Sequence, residues 1–76
     1  MLSQETIRTC DEIYPGDVIE VEYLDGERHR MAIGRFQEFA KSDAGDWCIW
    51  LRFRLVGVRM IDVVRIDPVK QANKAR

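Results

Sequence analysis

Apolar and polar residues alternate along the middle of the chain, and this period predicts β-strands. In residues 18–24, Ile19, Val21 and Tyr23 alternate with two glutamates. Successive side chains of a strand point to opposite faces of its sheet, so this segment is typical of a strand with one face on a core. We expect its three apolar residues to point inward.

A second alternating segment, residues 47–56, predicts the longest strand. One face carries Trp47, Ile49, Leu51, Phe53 and Leu55, and the other carries Cys48, Trp50, Arg52 and Arg54. The first set is uniformly apolar, which predicts that it faces the core. We therefore expect Trp47 to be a core residue and Trp50 to lie on the outer face of the sheet.

Capping and turn signals mark the beginning of the chain. Ser3 is a suitable N-cap for a short helix over residues 2–10, in which Ile7 and Cys10 are three apart and share one face. Residues 14–17 read Tyr-Pro-Gly-Asp, a turn in which proline presets φ and glycine accepts a positive φ. A helix and then a turn are expected before the first strand.

The later elements define the expected architecture. Gly34 predicts a bulge or bend in the second strand, and residues 59–62 and 63–66 are expected to form the last two strands. Five short, bent, antiparallel strands after a short N-terminal helix predict a mainly β fold, a small five-stranded SH3-like or Sm-like barrel. This single domain would span residues 1–69 and leave a basic flexible tail at 70–76.

The first hairpin turns near Asp25-Gly26, and its register decides which residues share a face. A two-residue loop at Asp25-Gly26 would place Val21 opposite Arg30 and mix unlike residues on each face. A three-residue loop over residues 24–26 gives Gly26 the positive φ it tolerates and keeps each face uniform. Its pairs would be Ile19 with Met31, Glu20 with Arg30, and Glu22 with Arg28. We expect this register.

Composition and charge exclude several classes of protein. The chain has 76 residues, 46% of them hydrophobic and 33% charged, which is typical of one small globular domain. Residues 1–27 carry eight acids and one base, residues 28–76 carry five acids and eleven bases, and the formal net charge is −1. This balance gives no strong argument for nucleic acid. No segment predicts a membrane span or signal peptide, so we expect a cytoplasmic protein with Cys10 and Cys48 reduced.

Two stretches of the second half resemble a family of bacterial regulators. Residues 47–49 read Trp-Cys-Ile, and residues 59–66 include Arg59, Arg65 and Ile66 at matching positions. This resembles the WYL domain, whose pattern combines a Trp-Tyr-Leu strand with an Arg-x-Phe-Arg-Leu-Asp-Arg-Ile strand; the resemblance covers roughly residues 18–69. Two positions depart from this pattern, since Cys48 replaces its tyrosine and Ile61 replaces its phenylalanine. Both departures bear on the ligand-sensing role attributed to that family.

A second resemblance involves the first hairpin. Residues 24–27 read Leu-Asp-Gly-Glu, and Cys10-Asp11 precedes the first strand. Both features resemble the small Rho-inhibitor family Rof, which is also Sm-like. The two resemblances imply a regulatory binding module of bacterial or phage gene expression.

Residues capable of catalysis or metal binding are few and scattered. His29, Cys10 and Cys48 lie far apart in sequence, whereas a zinc site normally takes four well-spaced ligands. No base or orienting acid is indicated beside Cys48, and phosphate-binding glycine loops and paired catalytic carboxylates are absent from the sequence. We expect no metal site, no cofactor and no enzymatic activity.

The most suggestive candidate surface is the outer face of the third strand. Trp50, Arg52 and Arg54 form a stripe of one aromatic ring and two cations, and Arg28 and Arg30 of the hairpin complete the set of candidates for partner binding. These residue types dominate protein–protein hot spots, and they also stack on bases and bind phosphate. The leading hypothesis is therefore a protein partner, with RNA or single-stranded nucleic acid as the alternative. Two further alternatives stay open, a homo-oligomer and Trp50 in a second small core.

Overall fold

Five antiparallel strands and one short helix make up the chain in a computed structural model that describes residues 2–52 and 56–69. The elements in chain order are α1 (Gln4–Glu12), β1 (Val18–Asp25), β2 (Arg28–Lys41), β3 (Trp47–Leu51), β4 (Val56–Arg59), a 3₁₀ turn (Met60–Asp62) and β5 (Val63–Pro68). The expected strand residues Phe53, Arg54 and Leu55 and the expected tail at 70–76 lie outside the described residues.

The start of the chain folds as its capping signals predict. The Ser3 side chain accepts a hydrogen bond of 3.1 Å from the backbone N–H of Thr6, which confirms the N-cap. Asp17 then closes the predicted turn, because its N–H donates to the carbonyl of Tyr14 at 3.0 Å while Gly16 takes a φ of 101°. The turn directs the chain into β1.

The expected register of the first hairpin is wrong. Val21 lies opposite Ala32 and Ile19 opposite Gly34, so neither of the two registers considered is present, and the loop consists of Gly26 and Glu27. Gly26 does have the expected positive φ, 67°, but as the first of two loop residues. The expected and observed registers differ by an odd number of residues, which reverses the two faces of the partner strand. Met31 is therefore exposed instead of packing on Ile19.

The observed register is the one that buries Phe36. This ring is 4% exposed and contacts Phe39, the two centroids lying 4.9 Å apart. Ala32 and Gly34 share its face of β2. The irregularity expected at Gly34 lies instead between Phe36 and Glu38, where the pairing with β3 shifts. A bulge at this position lets Phe36 and Phe39 pack together although they are three residues apart.

The sheet has the order β4-β3-β2-β1-β5, so β2 is its central strand. This confirms the mainly β class with five antiparallel strands and a short N-terminal helix. No pairing joins β4 to β5 among the described residues, and the sheet is not closed into a barrel. The expected fourth strand at 59–62 is mostly the 3₁₀ turn, while β4 begins earlier, at Val56.

One apolar core lies against one face of this sheet. Ile19 and Val21 of β1 are fully buried, which confirms their inward direction, and Ile49 and Ile66 join them from β3 and β5. Helix α1 packs against β5. The 3₁₀ turn contacts both β3 and β1, and its Met60 packs against the core.

Candidate protein-binding site

The two tryptophans of β3 have exchanged the roles that the sequence predicts for them. Trp47 was expected in the core but is 57% exposed, because it is the first residue of β3 and lies beyond the end of the core. Trp50 was expected on the outer face and is half-buried there. Its indole Nε1 donates to the carbonyl of Ala40 at 3.1 Å. The hydrogen bond fixes the ring against the sheet.

Trp50 covers Gly57 of the neighbouring strand. The two residues are directly opposite in the β3–β4 register, and a Cβ atom at position 57 would lie 2.5 Å from Cζ3 of the indole. The missing side chain of glycine therefore makes room for the ring. Trp50 supports the fold, and its burial leaves little of the expected apolar stripe exposed.

The four described residues among the five proposed for partner binding do not form one surface. Arg52 is exposed just after β3, and Arg54 lies outside the described residues. Trp50 pairs with Glu38, whereas Arg30 is eight residues earlier on β2, a separation of about 26 Å along a strand. Arg28 is still closer to the hairpin loop. The hairpin arginines and the β3 residues therefore belong to different regions of the molecule.

A different surface, an apolar groove, lies between α1, the end of the sheet and the 3₁₀ turn. Its volume is about 420 Å³. Its lining is apolar except for the carboxylate of Asp11. The apolar lining side chains are those of Leu2, Ile7, Cys10, Phe39, Trp47 and Met60. We call this feature the α1 groove.

Two large apolar side chains of the α1 groove remain accessible. Trp47 is 57% exposed and Ile7 is 49% exposed, although both are large enough to gain substantially from burial. Lys41 lies opposite Trp47 on β2, and its Nζ atom is 5.6 Å from the indole centroid, within the range of a cation–π contact. The groove therefore offers apolar contact area with an ammonium group on one side.

The electrostatics of the α1 groove centre on Asp11. Burial raises the pKa of the Cys10 thiol, and the neighbouring Asp11 carboxylate raises it further. A raised pKa keeps the thiol protonated at neutral pH, so Cys10 contributes apolar surface and no nucleophilic thiolate. Among the described residues, Asp11 is the only charged side chain that lines the groove, and Lys41 lies beside it over the ring of Trp47.

Several arginines of the described chain already have acidic partners. Arg59 Nε contacts Asp62 at 2.9 Å, and this carboxylate raises the pKa of the guanidinium. Arg30 Nε contacts Asp25 at 2.8 Å. Arg65 lies 3.4 Å from Glu22 and 3.2 Å from Asp67. The expected pairs Glu20–Arg30 and Glu22–Arg28 are not formed, because the register differs.

The three residues considered as metal ligands remain apart. His29 is exposed on the hairpin, where its Nδ1 lies 2.8 Å from Glu22 Oε2. The buried Cys48 thiol donates to the carbonyl of Asp46 at 3.5 Å, and Cys10 lines the α1 groove. Within the described ranges, no group of three or more His, Cys, Asp or Glu side chains is arranged to hold a metal ion.

Comparison with known proteins adds no relative to this description. No family model matches the chain, and no curated protein or solved structure gives a significant match. The resemblances to WYL domains and to Rof therefore stay predictions. Among the residues at 2–52 and 56–69, no helix has the length and apolar character needed to cross a membrane.

Sequence reasoning missed the α1 groove because its residues come from four separate elements. The helical face shared by Ile7 and Cys10 was a usable signal, since both residues line it. The other signal was the position of Trp47 directly after the polar loop at 41–46. The first residue of a strand often lies beyond the edge of the core, so its phase alone does not bury it.

Proposed function

We propose that this chain is a non-enzymatic, cytoplasmic regulatory module that binds another protein through the α1 groove. The observation that carries the proposal is the exposure of Trp47 beside Ile7 in an apolar groove. Large aromatic side chains at accessible positions are typical of binding hot spots, because their burial by a partner removes much apolar surface from water. The bacterial or phage origin of such a module rests on the two family resemblances.

The chemistry of the α1 groove favours one kind of occupant. Its apolar lining fits an aliphatic or aromatic side chain inserted next to Trp47. Asp11 is the charge available at the lining, and helix α1 also carries Glu5 and Glu12 against a single base, Arg8. A short segment of a partner protein with an apolar anchor and a flanking lysine or arginine would satisfy both features.

Nucleic acid is less well supported as the ligand. Binding of a phosphate backbone relies on free lysines and arginines, and Arg30, Arg59 and Arg65 each contact carboxylates. The described outer face of β3 also lacks the exposed tryptophan on which a base would stack, since Trp50 lies half-buried over Gly57. The salt dependence of oligonucleotide binding tests this ligand separately.

The test is selection from a random peptide library displayed on phage, with the purified protein immobilised. We expect the enriched peptides to combine an aromatic or aliphatic anchor with lysine or arginine. Their affinity for a Trp47→Ala variant should fall at least about 30-fold, which corresponds to about 2 kcal/mol for a hot-spot residue. A Tyr14→Ala variant, which removes an exposed aromatic outside the groove, serves as the matched control.

Two results would contradict the proposal. Peptides that bind Trp47→Ala as tightly as the unmodified protein would show that the α1 groove is not the binding surface. Alternatively, a single-stranded oligonucleotide whose affinity falls steeply with salt would favour the nucleic-acid alternative, provided that no peptide competes with it.

A further inference from the structure

The first half of β2 has one side that no described strand covers. β3 pairs with β2 only from Phe36 to Lys41, whereas β1 pairs with it from Arg28 to Arg35. The hairpin of β1 and β2 thus extends beyond β3. Among the described residues, the backbone of β2 near the hairpin is therefore unpaired on one side, although β2 is central in the sheet order.

The hydrogen-bond pattern identifies which backbone groups this edge presents. Phe36 bonds toward the β1 side, since its N–H donates to the carbonyl of Asp17 at 2.8 Å. The backbone groups of Arg35 point away from β1, since its carbonyl accepts a hydrogen bond from the N–H of Arg52 at 2.8 Å. Backbone groups alternate in direction along an antiparallel strand. The N–H and C=O groups of His29, Met31 and Ile33 therefore point away from β1, and no described residue provides a backbone partner for them.

The side chains beside these groups are partly apolar. Met31 is 48% exposed and Ile33 is 60% exposed, and both lie on the outer face of the hairpin. Apolar side chains next to unpaired backbone groups form a template for another strand. Charged side chains usually protect natural edge strands from pairing with other chains. In residues 28–35 the charged side chains are all basic.

The charges of this segment select the partner. Residues 28–35 contain Arg28, Arg30, Arg35 and His29 and no acid. A second copy that paired antiparallel along the same edge would bring like charges together, which disfavours self-association. Arg28 has no carboxylate partner among the described side chains, so it is available to an acidic residue on an added strand.

We infer that the free edge at His29, Met31 and Ile33 binds an extended acidic segment of a partner protein as an additional β-strand. The added strand would place apolar residues beside Met31 and Ile33 and an acidic residue beside Arg28. Backbone hydrogen bonds would supply the pairing, and alternate side chains would supply the specificity. This surface is separate from the α1 groove and does not depend on its occupant.

The probe is a short synthetic peptide of alternating glutamate and valine, and its control is the same peptide with lysine in place of glutamate. Binding is followed by amide hydrogen exchange measured by NMR. We expect the amides of His29, Met31 and Ile33 to exchange rapidly in the free protein and to become at least tenfold slower with the acidic peptide. The amide of Ala32, which points toward β1, should be protected in both states and is the internal control.

Two substitutions separate backbone pairing from general charge attraction. Met31→Pro removes an N–H that β1 does not use, so the hairpin ladder remains intact while affinity for the peptide should fall at least tenfold. Arg28→Glu should weaken the acidic peptide by a similar factor and improve binding of the lysine peptide. Arg8→Glu, on α1, is the charge-matched control and should leave the affinity of the acidic peptide unchanged.

Addition of an acidic strand at this edge is overturned if the acidic peptide fails to bind, or if the peptide binds without slowing exchange at the amides of His29, Met31 and Ile33. Slower exchange that depends on protein concentration instead of peptide would assign the edge to a second copy. If Met31→Pro does not fold, Arg28→Glu and the exchange measurement still decide the result. Trp47→Ala should leave this binding unchanged, so failure here is distinguishable from failure of the α1 groove.

Discussion

At the scale of single residues, the two tryptophans show that strand phase alone does not decide burial. Both positions obey the alternation of β3, but Trp47 lies past the end of the core and Trp50 finds a flat surface over Gly57. The hydrogen bond to Ala40 then fixes the indole. Alternation indicates the direction of a side chain, while its burial depends on what the neighbouring strands place beneath it.

These contacts predict opposite effects for the two tryptophans. Trp50→Ala should destabilise the protein by about 2 kcal/mol or more, because it removes a packed ring and its hydrogen bond. Trp47→Ala should cost less than about 1 kcal/mol, since the side chain is mostly exposed. Thermal melting of the two variants measures the difference. Equal losses of stability would contradict the assignment of Trp50 to the fold and Trp47 to the surface.

The contact between Trp50 and Gly57 allows a second test by double substitution. Gly57→Ala should be destabilising, because the new Cβ would collide with a ring held by a hydrogen bond. The same substitution in the Trp50→Ala background should cost little, since the obstructing ring is gone. The coupling energy is read from the four melting curves. Additive effects would show that the ring does not lie on Gly57.

Cys10 predicts a dependence of stability on alkaline pH. Its pKa is raised by burial and by Asp11, so the folded protein retains the thiol proton where the unfolded chain has lost it. Stability is therefore unaffected by this group below the pKa of a free thiol, about 8.5, and falls as the pH rises above it. Urea unfolding of the protein and a Cys10→Ser variant across this range isolates the effect. Parallel curves for the two proteins would contradict it.

At the scale of elements, sequence patterns predicted local structure well and pairing poorly. The N-cap at Ser3 and the turn at 14–17 follow from contacts within a few residues, and the inward face of β1 follows from alternation along a single strand. The hairpin register does not. Rules for charge pairing and uniform faces favoured a core position for Met31, but burial of Phe36 further along the strand decides the phase of β2. Phe36 lies beyond the hairpin, so rules that concern the hairpin residues alone do not include it.

The loop of the first hairpin gives the element-scale prediction. Gly26 has a φ of 67° and open space around the position of a Cβ, so the cost of a side chain there is conformational. Gly26→Ala should destabilise by roughly 1 kcal/mol, whereas Gly26→Asn should cost less because asparagine tolerates left-handed backbone. Chemical denaturation compares the two variants. Equal costs for alanine and asparagine would argue against a turn limited by φ.

At the scale of the whole molecule, composition and strand count were sufficient to predict the fold class, and the functional surfaces were not predictable. Alternating segments separated by turns require a sheet with one buried face, which the structure has. The α1 groove depends on how α1 packs beside β5 and on where β3 begins. The free edge of β2 depends on how far β3 extends along it. Both are relations between elements distant in sequence.

All five strands contribute to one core, and this unity predicts cooperative unfolding. Ile49 is fully buried at its centre, so Ile49→Ala should cost about 3 kcal/mol, a large part of the roughly 5 kcal/mol expected for a domain this small. Ile33→Ala, at an exposed position outside the core, is the matched control and should change stability by less than about 0.5 kcal/mol.

Circular dichroism follows the sheet and tryptophan fluorescence follows β3 as each of these proteins unfolds in urea. The transitions should coincide for the unmodified chain, because no element has a core of its own to keep it folded. The Ile49→Ala variant should shift both transitions to lower urea together. If fluorescence changed before circular dichroism, β3 would unfold separately from the hairpin, and the α1 groove would lose its floor while the free edge of β2 persisted.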